Sequence, residues 1–223
     1  MNNRVTMKIT VTDLRALDGD SLVAVRLLIQ SDEGARDVRS YHILPEQYAA
    51  LRLRCGEEIG PDTVDALEEA AQLSEAIRKG ISLLSYGMQS ERALKRKLTV
   101  RGFSEELATA AVAYLNRNGC FHEGEDAMRV VQGCRRKHWG MRRILSHLFE
   151  KGYPERVIRA VQVELEGEDF VPDCVELIRS KYHGAPESRD EKQKMTAALM
   201  RYGYSLGEIR RAIEQVAEED EEE

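Results

Sequence analysis

The side chains most suited to binding chemistry form a basic cluster near the middle of the sequence. Between Ala127 and Phe149 the chain has six arginines or lysines and no acidic residue. The cations that bracket one short turn at Trp139 are Arg135, Arg136, Lys137, Arg142 and Arg143. Because phosphates attract Lys and Arg whatever the base sequence, this cluster predicts non-specific contact with nucleic acid. The alternative is a solvated helix end, where cations favour the macrodipole.

A second basic strip precedes this cluster. Its cations are Arg92, Lys95, Arg96, Lys97 and Arg101. Glu91 and the pair Glu105-Glu106 border the strip, so these acids could pair with it on an ordinary solvated face. We interpret the strip as a second, weaker binding surface.

Cysteine and histidine spacing raises the question of a zinc site. Cys120, His122, Cys134 and His138 could supply a Cys2His2 ligand set. The 50-residue repeat of the sequence instead assigns Cys120 and His122 to a joint between two repeats and Cys134 to a core position. We therefore predict no metal site and no cofactor. The four cysteines lie too far apart in sequence for a disulfide framework, so reduced thiols are expected.

Enzyme motifs are missing from the sequence. It contains no GxxxxGK[ST], GxGxxG, HExxH or GxSxG pattern, and its paired glutamates are typical of helix starts and solvated faces. We therefore predict a protein that is not an enzyme and has no catalytic residues.

The elements that position the basic residues are predicted to be mainly helical. Hydrophobic residues make up 42% of the 223 residues and aromatic residues 6%, which favours amphipathic helices over an aromatic-rich sandwich. The front of the chain differs, because three strands are predicted at Val5–Leu14, Leu22–Ile29 and Val38–Leu44. Turns at Asp18-Gly19-Asp20 and Ser31–Gly34 predict an antiparallel meander, and Pro45 and Pro61 each begin a helix.

From about Leu73 the sequence repeats with a period of 50 or 51 residues. The corresponding corners are Gly102-Phe103, Gly152-Tyr153 and Gly203-Tyr204. In each copy the glycine suits a left-handed helix end, and the aromatic residue is predicted to pack into the core between two crossing helices. Three stacked three-helix units are therefore predicted.

These features divide the chain into five predicted segments. They are an amino-terminal strand-plus-helix module at 1–70, repeat 1 at 71–120, repeat 2 at 121–168, repeat 3 at 169–217 and an acidic tail at 218–223. The net charge is −6, yet residues 80–166 carry 15 cations and 10 acids, whereas residues 167–223 carry 8 and 15. The like-charge tail is predicted to be disordered.

The repeated blocks resemble a known family. Ser90–Leu98 with Arg101-Gly102-Phe103, and Trp139–Leu148 with Lys151-Gly152-Tyr153, closely resemble the RecX family of bacterial recombinase regulators. The similarity covers about residues 70–216, and the strand-rich front is similar to the extension that some members carry. The third copy departs from the pattern at Ser188–Lys192, so we assign packing and protein contacts, and no groove contacts, to that repeat.

The resemblance implies that the repeats form an elongated and curved array and that the protein regulates recombination. Members of this family bind the RecA filament on single-stranded DNA in its helical groove and modulate ATP hydrolysis, strand exchange and stimulation of repressor self-cleavage, in DNA repair and the SOS response. It implies RecA and single-stranded DNA as partners, with non-specific duplex binding as a further property. We expect a cytoplasmic protein without a membrane partner, since no apolar run is long enough to span a bilayer. We also expect the protein to be a monomer.

A free-standing DNA-binding protein is the alternative function. Helix-turn-helix-like repeats could act as sequence readers in a major groove. The third helices of the first two repeats, at about Glu105–Asn116 and Glu155–Glu166, carry several acids that would repel phosphate. This charge favours the filament regulator.

Overall fold

The computed structural model describes residues 7–17, 19, 21–32 and 34–222. Its strands are β1 (Met7–Leu17), β2 (Leu22–Ser31) and β3 (Arg36–Ile43). Its helices are α1 (Pro45–Leu51), α2 (Pro61–Ser85), α3 (Glu91–Val100), α4 (Glu105–Arg117), α5 (Glu123–Arg135), α6 (Met141–Glu150), α7 (Glu155–Glu166), α8 (Val171–Tyr182), α9 (Arg189–Arg201) and α10 (Leu206–Glu222). The mainly helical fold with three amino-terminal strands is confirmed.

The three strands form an antiparallel sheet in the order β1-β2-β3, as the meander prediction requires. Ser31 and Ala35 close the second turn with a backbone hydrogen bond of 3.0 Å, and Gly34 there has a φ of +85°. Asp18 and Asp20 of the first predicted turn, and Glu33 of the second, lie outside the described residues. The outer edge of β1 is covered by residues 56–59, since Val11 exchanges backbone hydrogen bonds with Gly56 and Glu57, and Ile9 O accepts the N–H of Ile59.

Contacts divide the chain into two compact units. Unit 1 runs up to Gly87 and includes Leu94–Cys120, whereas unit 2 comprises Met88–Ala93 and the residues from Phe121 onward. In unit 1 one face of the sheet packs against α2 around buried Val25, Leu27 and Leu67. Because α2 is continuous over 25 residues, it carries the sheet and the first repeat on one helix. The boundary at residue 70 falls inside this helix and stays a prediction.

Unit 2 contains the six helices α5 to α10 around one hydrophobic core. Equivalent backbone hydrogen bonds fix the corners of its two repeats. The N–H of Tyr153 donates to Leu148 O in one corner, and the N–H of Tyr204 donates to Leu199 O in the other. Gly152 and Gly203 are left-handed, with φ of +83° and +99°, as predicted. Tyr153 and Tyr204 are buried, which confirms their packing role, and the equivalent Phe103 of unit 1 is half-buried.

The acidic tail differs from its prediction. The sequence predicts disorder at 218–223, but α10 continues through Glu222. Glu219 pairs with Arg179, and the Asp220 carboxylate accepts the N–H of Ala185 at 3.0 Å. These partners, which lie 35 to 40 residues earlier in the chain, relieve the repulsion that favoured disorder. None of the helices in the described part of the chain is long and apolar enough to cross a membrane.

A candidate nucleic-acid interface

The candidate site is built on the turn that joins α5 to α6. Helix α5 ends at Arg135, and the left-handed residue His138, with a φ of +53°, turns the chain away from the helix axis. Gly140 then takes an extended conformation and starts α6. The two basic halves of the predicted cluster are thereby brought to one turn, as the sequence predicts.

The turn is held against the corner of the third repeat, at Tyr202–Tyr204. The N–H of Gly140 donates to Tyr202 O at 2.9 Å, and that of Arg142 donates to Gly203 O at 3.2 Å. The hydroxyl of fully buried Tyr204 donates to His138 O at 2.8 Å. A Cβ placed on Gly140 would lie 2.6 Å from the carbonyl carbon of Gly203, so only glycine permits this approach.

Aromatic and cationic side chains alternate across this junction. The Arg143 guanidinium carbon lies 4.0 Å from the ring centroid of Trp139 and 5.0 Å from that of Tyr202. Lys137 lies 5.6 Å from the Trp139 centroid, and Lys181 lies 4.8 Å from that of Tyr202. Such contacts order long cationic side chains without neutralising them, because the ring supplies a quadrupole and no net charge. We call these five residues the cation–aromatic ladder.

Three cations of the predicted cluster, one in the ladder and two beside it, keep their charge available. Arg136, Lys137 and Arg142 are exposed, and within the described ranges none of them forms an ion pair. Arg143 is half-buried between its two rings and presents less of its surface. The turn therefore offers a positive surface with aromatic rings next to it, a combination suited to phosphates and unstacked bases.

Arg135 belongs to a different environment. Its guanidinium pairs with Glu168 at 2.7 Å and with Asp173 at 2.8 Å, and it lies 4.9 Å from the Phe170 ring centroid. Burial lowers the pKa of Arg135, but the hydrogen bonds to both carboxylates outweigh it and raise the pKa above its ordinary value. The sequence argument that no acid neutralises the cluster is wrong for this residue. Arg135 joins α5 to the start of α8.

The second predicted strip is divided between the two units. Arg92 is in unit 2, where its side chain packs beside Gly152, whereas Lys95, Arg96, Lys97 and Arg101 are in unit 1. Lys95 pairs with Glu105 at 2.9 Å, and this contact lowers the pKa of the Glu105 carboxyl. Arg101 donates to Lys97 O at 3.0 Å. Arg96 and Lys97 are exposed and form no ion pair among the described residues.

Two ladder residues were missed by the sequence reasoning, which assigned only packing and protein contacts to the third repeat. Tyr202 stands one residue before the corner glycine, at the position that Lys151 holds in the preceding repeat. Lys181 lies near the end of α8 and donates to the Tyr202 hydroxyl at 3.2 Å. The repeat register marks the Tyr202 position as a junction, but nothing in the sequence indicates the contact with Lys181.

His147 lies beneath the ladder. Its ring meets Trp139 edge-on, with centroids 5.2 Å apart. Burial, with a further effect of the Lys151 charge, lowers the pKa of His147 below its ordinary value, although Glu150 opposes the shift. The neutral imidazole is thus favoured next to this cationic surface.

The cysteine and histidine residues weighed for zinc are separated by burial. Cys134 is buried in the core of unit 2, and burial raises the pKa of its thiol, whereas Cys120 is exposed. Within the described ranges no group of three or more His, Cys, Asp or Glu side chains is placed to hold a metal ion.

Comparisons with known proteins agree on one family. Models of the first and third three-helix domains of RecX match residues 76–115 and 173–213. Regulatory protein RecX of Stenotrophomonas maltophilia (strain K279a) is 29% identical over 137 residues, which is 61% of this chain and 83% of that protein. Its counterpart in Clostridioides difficile (strain 630) is 23% identical over 182 residues, which is 80% of this chain and 85% of that protein.

Solved structures share the fold. A crystal structure of regulatory protein RecX matches with a TM-score of 0.72 and 21% identity, covering 93% of this chain and 99% of that one. The crystal structure of RecX from Lactobacillus salivarius matches with a TM-score of 0.55 and 18% identity, covering 65% and 96%.

Proposed function

Because this chain belongs to the RecX family, we propose that it is a regulatory protein that binds the RecA filament on single-stranded DNA. In this proposal it binds in the helical groove of the filament, acts in the cytoplasm as a monomer and carries out no covalent chemistry. It inhibits or modulates the ATPase, strand-exchange and coprotease activities of the filament.

The observation that carries the proposal is the exposed positive surface next to the cation–aromatic ladder. A filament on DNA presents phosphates, bases and protein side chains. The surface offers charge for the phosphates and aromatic rings for the bases and the side chains. Arg136, Lys137 and Arg142 are the proposed phosphate contacts, since they are exposed and unpaired in the described ranges. Arg143, half-buried between the rings of Trp139 and Tyr202, contributes its charge to the same surface. Arg135 positions the turn through its ion pairs with Glu168 and Asp173.

The second strip has a smaller proposed part. Arg96 and Lys97 add a basic patch on α3, whereas Arg92 packs beside Gly152, Lys95 pairs with Glu105, and Arg101 lines a separate cleft in unit 1. We assign the main contact to the α5–α6 turn on this basis.

The test is the single-stranded-DNA-dependent ATP hydrolysis of the cognate RecA, titrated with this protein. Hydrolysis is expected to fall at protein concentrations too low to coat the DNA, as measured by a parallel titration of bare DNA. Unchanged hydrolysis together with tight binding to bare duplex would favour the free-standing DNA-binding protein instead.

A charge-reversal variant locates the surface. Arg136→Glu/Lys137→Glu/Arg142→Glu should weaken binding and lower the slope of log affinity against log salt by about 2, since each single-strand phosphate contact contributes about 0.7. The matched control, Lys192→Glu/Lys194→Glu/Arg210→Glu, makes the same change in charge on exposed residues of the third repeat. Equal losses in the two variants would remove the α5–α6 turn from the site.

A further inference from the structure

Unit 1 contains a cleft that the proposed DNA surface does not use. It has a volume of about 1050 Å³ and lies between β3, one side of α2 and the corner Arg101–Phe103. Four consecutive residues of β3, Arg39 to His42, line it. Since neighbouring side chains of a strand point to opposite faces, a cleft lined by all four runs along the edge of the strand.

That edge is open. β3 pairs only with β2 in the described sheet, whereas the outer edge of β1 is covered by residues 56–59. An edge strand presents a row of free N–H and C=O groups, which can pair with an added strand. The chain thus covers one edge of its sheet with its own backbone and leaves the other edge beside a cleft.

The opposite wall is a single stripe of α2. It runs from Glu68 to Ser82 and includes Gln72, Glu75 and Lys79 at helical spacing. Fourteen helical steps span about 21 Å, which matches an extended peptide of about six residues. The dimensions of the cleft therefore suit one additional strand.

Charge favours an acidic occupant. Arg39 is balanced by Asp37 and Glu68, at 3.2 and 3.1 Å. Arg78, Lys79 and Arg101 form no ion pair among the described residues, and Glu75 is the remaining acid on the wall. The cleft thus keeps a positive excess, while its two acids and its open strand edge favour a peptide over a nucleic acid.

We propose that the cleft between β3 and α2 binds an extended acidic peptide segment of a partner protein, which adds as a strand to the free edge of β3. Main-chain hydrogen bonds to β3 supply the pairing, and Arg78, Lys79 and Arg101 select acidic side chains. This site lies in a different unit from the α5–α6 turn, so it does not depend on the proposed DNA contacts.

The test measures anisotropy of a fluorescein-labelled octapeptide of alternating valine and glutamate with the full chain. Saturable binding that weakens with salt is expected, and Arg78→Glu/Lys79→Glu should lower the affinity about tenfold. The control Arg54→Glu/Arg117→Glu, which changes exposed cations of unit 1 outside the cleft, should change it less than about twofold. Circular dichroism checks that each variant is folded.

Two further probes separate strand addition from general attraction. Peptides N-methylated at every second residue, in either register, lose the N–H groups along one edge, and at least one of them should fail to bind. The turn variant Arg136→Glu/Lys137→Glu/Arg142→Glu should bind the peptide normally, so failure of the DNA proposal leaves this one standing. The proposal would be overturned if the peptide showed no saturable binding, or if both methylated peptides bound fully. It would also be overturned if an oligothymidine displaced the peptide and Arg78→Glu/Lys79→Glu abolished the binding of that oligothymidine.

Discussion

The close approach of Gly140 and Gly203 allows a quantitative test of the junction that supports the ladder. In Gly203→Ala the new Cβ would lie 2.5 Å from the N of Arg143 and 2.8 Å from Gly140 O, on a residue with a φ of +99°. The left-handed conformation costs an alanine about 1–2 kcal/mol, and relieving the backbone overlap costs about 1–3 kcal/mol more. We expect the free energy of unfolding to fall by about 2–5 kcal/mol, the sum of these two ranges.

Two reference variants separate the contributions. Gly102→Ala has nearly the same φ, +95°, but no atom within 4 Å of the new Cβ, so it measures the conformational cost alone. Gly140→Ala has an ordinary φ of −74° and meets Gly203, so it measures the overlap alone. All three replacements stiffen the unfolded chain alike, and this effect cancels in the comparison.

The assay is urea denaturation followed by circular dichroism and by tryptophan fluorescence. Trp139 is the only tryptophan and lies at the junction, so its emission reports on unit 2 directly. If Gly203→Ala were no more destabilising than Gly102→Ala, the backbone approach would be freely adjustable and the reasoning would be refuted.

Thiol reactivity and pH dependence supply the remaining predictions. At pH 8 only exposed Cys55 and Cys120 should react quickly with Ellman's reagent, because Cys134 and Cys174 are buried and burial raises the pKa of Cys174 to about 12. All four thiols should react in denaturant. More than two fast-reacting thiols in the native protein would contradict the burial of Cys134 and Cys174. The lowered pKa of His147 means that its contribution to stability is complete above the unfolded value of 6.5 and is lost as the pH falls through the folded value. Urea titrations between pH 7.5 and 5 should therefore show a decline that is smaller in His147→Gln, and identical slopes for the two proteins would rule this out.

Local patterns explain why much of the fold could be predicted. The corners at Gly152 and Gly203 follow from residues within five positions of each glycine, and so does the capping box in which Ser205 and Glu208 exchange hydrogen bonds. The placement of Arg142 at the start of α6 follows from the same register. These features depend on backbone conformation, which neighbouring residues largely determine.

The features that could not be predicted from the sequence depend on contacts between residues far apart in the chain. Arg135 is neutralised by Glu168 and Asp173, which are 33 and 38 residues later. The helical tail is supported by Arg179, and the ladder needs Tyr202 of a repeat whose own sequence departs from the pattern. No periodicity or charge count indicates which distant side chains will meet. The same holds for the cleft beside β3, which forms only when α2 packs against the sheet.

The contact between successive repeats in unit 2 is directional. The start of α3 meets the corner at Gly152, where the Ser90 hydroxyl donates to Lys151 O, and the start of α6 meets the corner at Gly203 in the same way. Each is a head-to-tail association of unlike surfaces with few hydrogen bonds. Because both partners belong to one chain, the linker supplies a high effective concentration, which favours each contact. At the Gly203 junction, covalent continuity thus acts together with the shared hydrophobic core of unit 2.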